Sequence, residues 1–231
     1  MEDRNPNMFG ISLYQQKNLE LHPEGRHLFD ARATFTSARI PHPDTPYLSQ
    51  IPCSWGALYF PEHWREFHAY LTARLASAVL PLSEPVVPEV RSNRWTRSWK
   101  KYFIELVYLR GYVMLYPNYP NFASLSTNHL EAGSHVKDMP TEAHARKKKL
   151  FTVPLMSLPA ASPKGDTRTG LLELPGSRLP TLNELPVLDL LGIISDEEIL
   201  AKRGRERRTE LTGCDGLLTQ AYDVRELLCM H

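Results

Sequence analysis

Five residues have the types and spacing from which chemistry can be built: Glu105, then Asn128, His129, Glu131 and His135 in one polar stretch. Imidazole and carboxylate both ligate divalent ions, and a loop can fold an H-x-E-x3-H spacing around one. That spacing is not the HExxH of a zinc-protease helix, and Gly133 argues for a loop. The same residues admit two other roles. Asn128 and His129 could cap neighbouring backbone while His135 stays exposed, or the group could contact substrate protons and hydroxyls without metal. Glu105 stands among Phe103, Ile104, Leu106 and Val107, near the packed face of a helix, where a partly desolvated carboxylate could act as a general base. An ion pair with Lys101 at i−4 or with Arg110 would make it structural instead. The catalytic role requires an open cleft beside the helix.

Aromatic rings supply a second kind of candidate. Trp55, Tyr59, Trp64, Trp95 and Trp99 could build a platform for sugar rings, whose C–H faces match aromatic faces; tryptophans at helical spacing also serve as core. Arg91 and Arg94 flank a helix start, where phosphate contacts are made, although a solvated helix start explains them as well. The Arg146–Lys149 run reads as solvated charge. The sequence has no P-loop, GxGxxG, GxSxG or DxD.

The elements that must position these groups follow from periodicity. Residues 8–14 and 53–60 read as short buried strands, the second holding Gly56, where another backbone or a ligand can approach closely. Pro61 suits a first helical position, and Trp64, Phe67, His68, Leu71, Leu75, Ala78 and Val79 recur at core-facing helical spacing before Pro81. A proline-rich connector leads to a helix starting at Ser92 or Asn93. Its inner face carries Trp95, Trp99, Tyr102, Phe103, Leu106 and Val107, with Arg97, Lys100 and Lys101 outward and Gly111 at its end. Residues 112–116 continue as a strand that empties into the Asn128–His135 loop, the order by which α/β proteins place chemistry at a strand's carboxyl end. Residues 15–50 read as mostly irregular, 151–156 as one more short strand, and 171–194 as extended chain. The Ser195–Glu198 capping box opens a charged helix near 196–208.

The fold class is therefore α/β, a mixed sheet flanked by helices. Residues 1–136 form the main region, and 137–231 an irregular Pro/Leu-rich extension. Lys and Arg total 27 against 26 acids, so no global field favours nucleic acid or anionic membrane. No apolar run approaches the roughly 20 residues of a membrane span, and MEDRNPNMFG is no signal peptide. Cys53, Cys214 and Cys229 form no CxxC pair, so zinc knuckles and a disulfide framework are disfavoured; three buried thiols or a single disulfide remain.

The phrases NMFGISLYQQKNLEL, PYLSQIPCSWGALYFPEHWREFHAYL, RSNRWTRSWKKYFIELVYLRGYVMLYPNY and SLSTNHLEAGSH together resemble fungal and plant glycosyltransferase-like proteins of the GT-A, nucleotide-diphospho-sugar transferase type, over roughly residues 7–135. The resemblance implies sugar transfer from a UDP- or GDP-sugar to a glycan or other acceptor, assisted by Mn2+ or Mg2+, in the secretory pathway or Golgi. It casts Glu105 as base, His129, Glu131 and His135 as metal ligands, and Trp55, Arg94, Trp95, Trp99 and Asn128 as substrate contacts. The chain departs from that pattern because the nucleotide-binding half with its DxD is missing, which points to an incomplete, truncated or remodelled relative whose activity is in question. Two alternatives stand beside it: a non-catalytic carbohydrate- or protein-binding module, and a metal-dependent hydrolase built on His129, Glu131 and His135.

Overall fold

A computed structural model describes residues 5–76, 85–127, 140–156, 180–214 and 218–230. The chain is a mixed α/β fold built on one six-stranded sheet. At its centre, β1 (Met8–Ser12) runs parallel to β6 (Val113–Tyr116). Outside β1 lies antiparallel β5 (Ala57–Tyr59); outside β6 come antiparallel β4 (Tyr47–Ser49), then β7 (Val187–Leu188) and β8 (Ile194–Ser195). A separate two-stranded hairpin joins β2 (Asn18–Leu19) to β3 (His27–Leu28).

Period-two alternation along β6 divides the interior. Met114 and Tyr116 enter the larger core with Phe9, Phe67 and Phe103, while Val113 joins Leu48, Val187 and Leu200 in a smaller one. Helices α2 (Pro61–Leu75) and α3 (Trp99–Arg110) supply the larger core. The other α-helices among the described residues are α1 (Ala31–Ser37), α4 (Thr141–Phe151), α5 (Glu197–Thr212) and α6 (Val224–Leu228).

The face that α2 buries differs from the expected one. His63, Glu66, Phe67 and Tyr70 point inward, whereas His68 is exposed and Trp64 and Leu75 are 43% and 60% exposed. Hydropathy misreads this face because its polar residues are matched by partners on other elements. Arg110 Nε and the Tyr112 hydroxyl each donate to Glu66 at 2.7 Å, and His63 meets the Tyr112 and Tyr222 rings edge-on.

Helix α3 also begins later than expected. Arg91–Arg94 form a single 3-10 turn, the chain then extends through Trp95, and the α-helix starts at Trp99. Its end is as predicted: Gly111 takes the left-handed conformation at φ 68°. Residues 141–151 are helical rather than a prelude to a strand, and Leu155 makes one isolated bridge to Ser124.

The segment after residue 137 contributes directly to the domain. β7 pairs in parallel with β4, and α5 packs on α3, capped by the Asp196 side chain rather than by Ser195 of the expected capping box, because Ser195 is drawn into β8. Gly204 makes that packing close, since a Cβ there would stand 2.5 Å from the Tyr108 and Leu109 carbonyl oxygens. Cys214 and Cys229 are joined as a disulfide, with their Cα atoms 6.5 Å apart, and Cys53 is a free, buried thiol.

Candidate functional site

The chain leaving β1, the last residue of β6 and the loop after β4 meet at one end of the sheet. Here a small hollow is lined by Tyr14, Gln16, Asn18, Glu20, Ile51, Cys53, Ser54, Trp55, Lys100 and Tyr116 among its wall residues. It therefore lies at the carboxyl ends of the two central parallel strands, where open α/β sheets gather ligands. Two hydrogen bonds brace its wall, one within it and one from outside. The Tyr116 hydroxyl donates to the Ile51 carbonyl at 2.7 Å, and Ser126 Oγ donates to the Trp55 carbonyl at 3.1 Å. Gly56 makes the second contact feasible, because a Cβ there would lie 2.4 Å from Ser126 Oγ. The close approach expected at this glycine is made by another segment of the chain.

The electrostatics of the hollow centre on Glu20. Lys100 Nζ donates to its carboxylate, with Arg26 3.8 Å away. Burial opposes the charge of Glu20, but Lys100, Arg26 and Arg91 together outweigh it and hold the carboxyl below its usual value. Lys100 thus turns inward, contrary to its expected outward place, because a buried acid on β2's flank draws it in. Cys53 is unsuited to nucleophilic work: burial pushes its thiol up, away from the reactive thiolate. Trp55 stands edge-on to Tyr14, their ring centroids 5.2 Å apart.

Glu105 is held elsewhere. It is 2% exposed, and Arg74 Nε lies 2.9 Å from Oε2, which also accepts from the Tyr70 hydroxyl at 3.0 Å. Its cation comes from α2 rather than from Lys101 or Arg110. All of this encloses the carboxylate within the α2–α3 interface, and among the described residues no open cleft of the kind general-base work requires reaches it. Arg110 with Glu66 and Tyr112 repeats the arrangement with the helices exchanged. Both sets bind α2 to α3 and its continuation.

The other expected site residues divide three ways. Trp55 lines the hollow. Trp95 packs half-buried against the core, Trp99 is 43% exposed beside Trp64, and Arg94 reaches from the surface to the Pro23 carbonyl. Asn128, His129, Glu131 and His135 lie outside the described residues. Mn2+ or Mg2+ would need several oxygen donors converging on one point. The wall of the hollow offers one carboxylate, Glu20, already occupied by Lys100, so its residues do not fit such an ion.

A protein-family model described as the SPBC1E8.03c C-terminal domain matches residues 23–79. That span runs from the β2–β3 turn through α2 and includes the Ile51–Trp55 wall. No curated protein and no solved structure matches the chain. No helix among the described residues is long and apolar enough to cross a membrane.

Sequence reasoning passed over Gln16, Asn18, Glu20 and Lys100, since nothing in linear spacing joins β2 to the start of α3. It also passed over His22, Glu24 and His27. Among the described residues, these form the one group of three or more His, Cys, Asp or Glu whose ligand atoms converge. The compact H-x-E-x2-H spacing was the available signal.

Proposed function

We propose that this chain is a non-catalytic carbohydrate-binding module, related to the acceptor side of glycosyltransferase-like proteins. The observation that carries this reading is the hollow itself, where the Trp55 ring stands beside Gln16, Asn18 and Ser54 at the carboxyl ends of β1 and β6. An indole face suits the C–H face of a sugar ring. Amide and hydroxyl side chains both donate and accept, as sugar hydroxyls do. The cavity volume is about 30 Å3, far below the roughly 300–1,000 Å3 of enclosing small-molecule sites. A saccharide would therefore lie across the rim with one edge seated, and a nucleotide sugar would find no enclosure there. Absence of turnover is expected on two grounds: Glu105 is consumed by Arg74 and Tyr70, and Cys53 is held as a thiol.

On this reading the ligand is a glycan met in the secretory pathway, where the Cys214–Cys229 disulfide is also at home. A protein partner is the second reading, favoured by the exposed Trp64 and Trp99 rings, whose centroids are 6.2 Å apart. Calorimetric titration of the full chain in EDTA separates these cases. Saturable binding of oligosaccharides, lost in Trp55→Ala, is the expected result. Binding of a UDP- or GDP-sugar that requires Mn2+ and weakens in Glu105→Gln would replace the proposal with the transferase reading.

A further inference from the structure

The β2–β3 hairpin closes through His22-Pro23-Glu24-Gly25-Arg26-His27, with the Gly25 amide donating to the His22 carbonyl at 3.1 Å. This tight turn returns both imidazoles to one side. Glu24 Oε1 lies 2.9 Å from His27 Nε2 and 3.8 Å from His22 Nδ1, and the three ligand atoms fall within 4.8 Å of one another. In a tetrahedral zinc site with metal–ligand bonds of about 2.0–2.1 Å, adjacent ligand atoms stand about 3.3–3.4 Å apart. The two carboxylate–imidazole distances bracket that spacing, and the 4.8 Å bound on the third pair leaves closure on an ion to side-chain adjustment.

A second observation concerns the tautomer. His22 Nε2 is 3.1 Å from the Leu191 carbonyl oxygen in the β7–β8 turn. A carbonyl only accepts, so Nε2 carries the hydrogen and the neutral ring presents its lone pair on Nδ1, toward Glu24. Metal-bound histidines are oriented by this kind of outer hydrogen bond. The supporting turn is itself packed on the hairpin, since a Cβ at Gly192 would stand 2.6 Å from Leu19 Cδ1.

We propose that His22, Glu24 and His27 form a binding site for a first-row divalent transition metal, with Zn2+ as the probe occupant. Two imidazoles and one carboxylate suit zinc, nickel or copper better than magnesium or calcium, which favour oxygen ligands. Side-chain exposures of 62% for Glu24 and 44% for His27 leave the outer coordination position to water. Bound metal would tie the hairpin to the β7–β8 turn through His22. The site is independent of the ligand read for the Trp55 hollow.

The test is a zinc titration of metal-free full chain against a chromogenic chelator, with Co2+ absorption spectra as a second readout. Wild type is expected to bind one zinc equivalent that millimolar Mg2+ does not displace, and Co2+ to give visible bands. Affinity should fall on acidification, because each imidazole must shed its proton to ligate. His27→Ala and Glu24→Gln, both at exposed positions, are each expected to weaken binding at least tenfold, and their double variant to lose the Co2+ bands. Far-ultraviolet circular dichroism verifies that the variants fold. Zinc affinity and Co2+ bands unchanged in the folded double variant would overturn the assignment, as would no binding by wild type at 100 μM zinc, a level set at about −5.5 kcal/mol of binding free energy.

Discussion

Arg74 Nε stands 2.9 Å from Glu105 Oε2, joining α2 to α3 at a point where the carboxylate is 2% exposed. A carboxylate so placed serves the fold. Removing only the cation leaves a buried charge without its partner, which costs about 3–5 kcal/mol. Arg74→Ala should therefore destabilise the chain by roughly that amount in urea unfolding. Glu105→Gln keeps the shape and should cost less, and oligosaccharide affinity should stay within twofold of wild type in a folded Glu105→Gln sample.

Stability should decline in two steps as pH falls. Burial drives His63 below its ordinary 6.5, outweighing the Pro6 carbonyl and the carboxylates of Glu66 and Glu62. The unfolded chain then takes up a proton that the folded chain refuses, so stability is full above about pH 6.5 and declines below it. Glu20 behaves as a depressed acid whose contribution is present above the unfolded value of 4.5 and lost as pH falls through its lower folded value. Unfolding free energies measured from pH 8 to pH 3 check both steps. His63→Phe should flatten the upper one, and an unchanged slope in that variant would contradict the assignment.

The close crossing of α5 on α3 predicts intolerance at Gly204. A Cβ there would meet the Tyr108 and Leu109 carbonyl oxygens at 2.5 Å, and backbone cannot yield as a flexible side chain does. Gly204→Ala should cost about 1–3 kcal/mol by forcing the helices apart. The measurement is the urea midpoint at constant m-value. A change within 0.5 kcal/mol, the range of ordinary surface substitutions, would show that α5 is not packed this closely.

Much of this architecture is written in local pattern. The Trp99–Arg110 helix with its Gly111 terminus, the strands near residues 8–12, 57–59 and 113–116, and the Asp196-capped helix all carry periodicity or a cap. Two-residue strands such as β2, β3, β7 and β8 show no period, and their place is set by partners far along the chain. The inward His63 and Glu66 of α2 were illegible for a related reason, since their burial depends on Tyr112, Arg110 and Tyr222. Trp55 was legible as a candidate from its residue type. The Glu20–Lys100 pair beside it joins residues 80 apart in sequence and appears only with the fold.

Trp55 forms one wall of the hollow and makes an edge contact with Tyr14. If its ring carries saccharide recognition, Trp55→Ala should weaken binding about tenfold or more, the equivalent of about 1.4 kcal/mol. Trp99→Ala, at an exposed position outside the wall, should leave oligosaccharide affinity unchanged while weakening any protein contact made by the Trp64–Trp99 face.

A glycan array probed in EDTA with wild type and folded Trp55→Ala side by side bears most directly on the account. Metal-independent binding to a defined set of oligosaccharides by wild type, gone in the variant, is the predicted outcome. Equal glycan signals from the two proteins, or none from wild type, would contradict it.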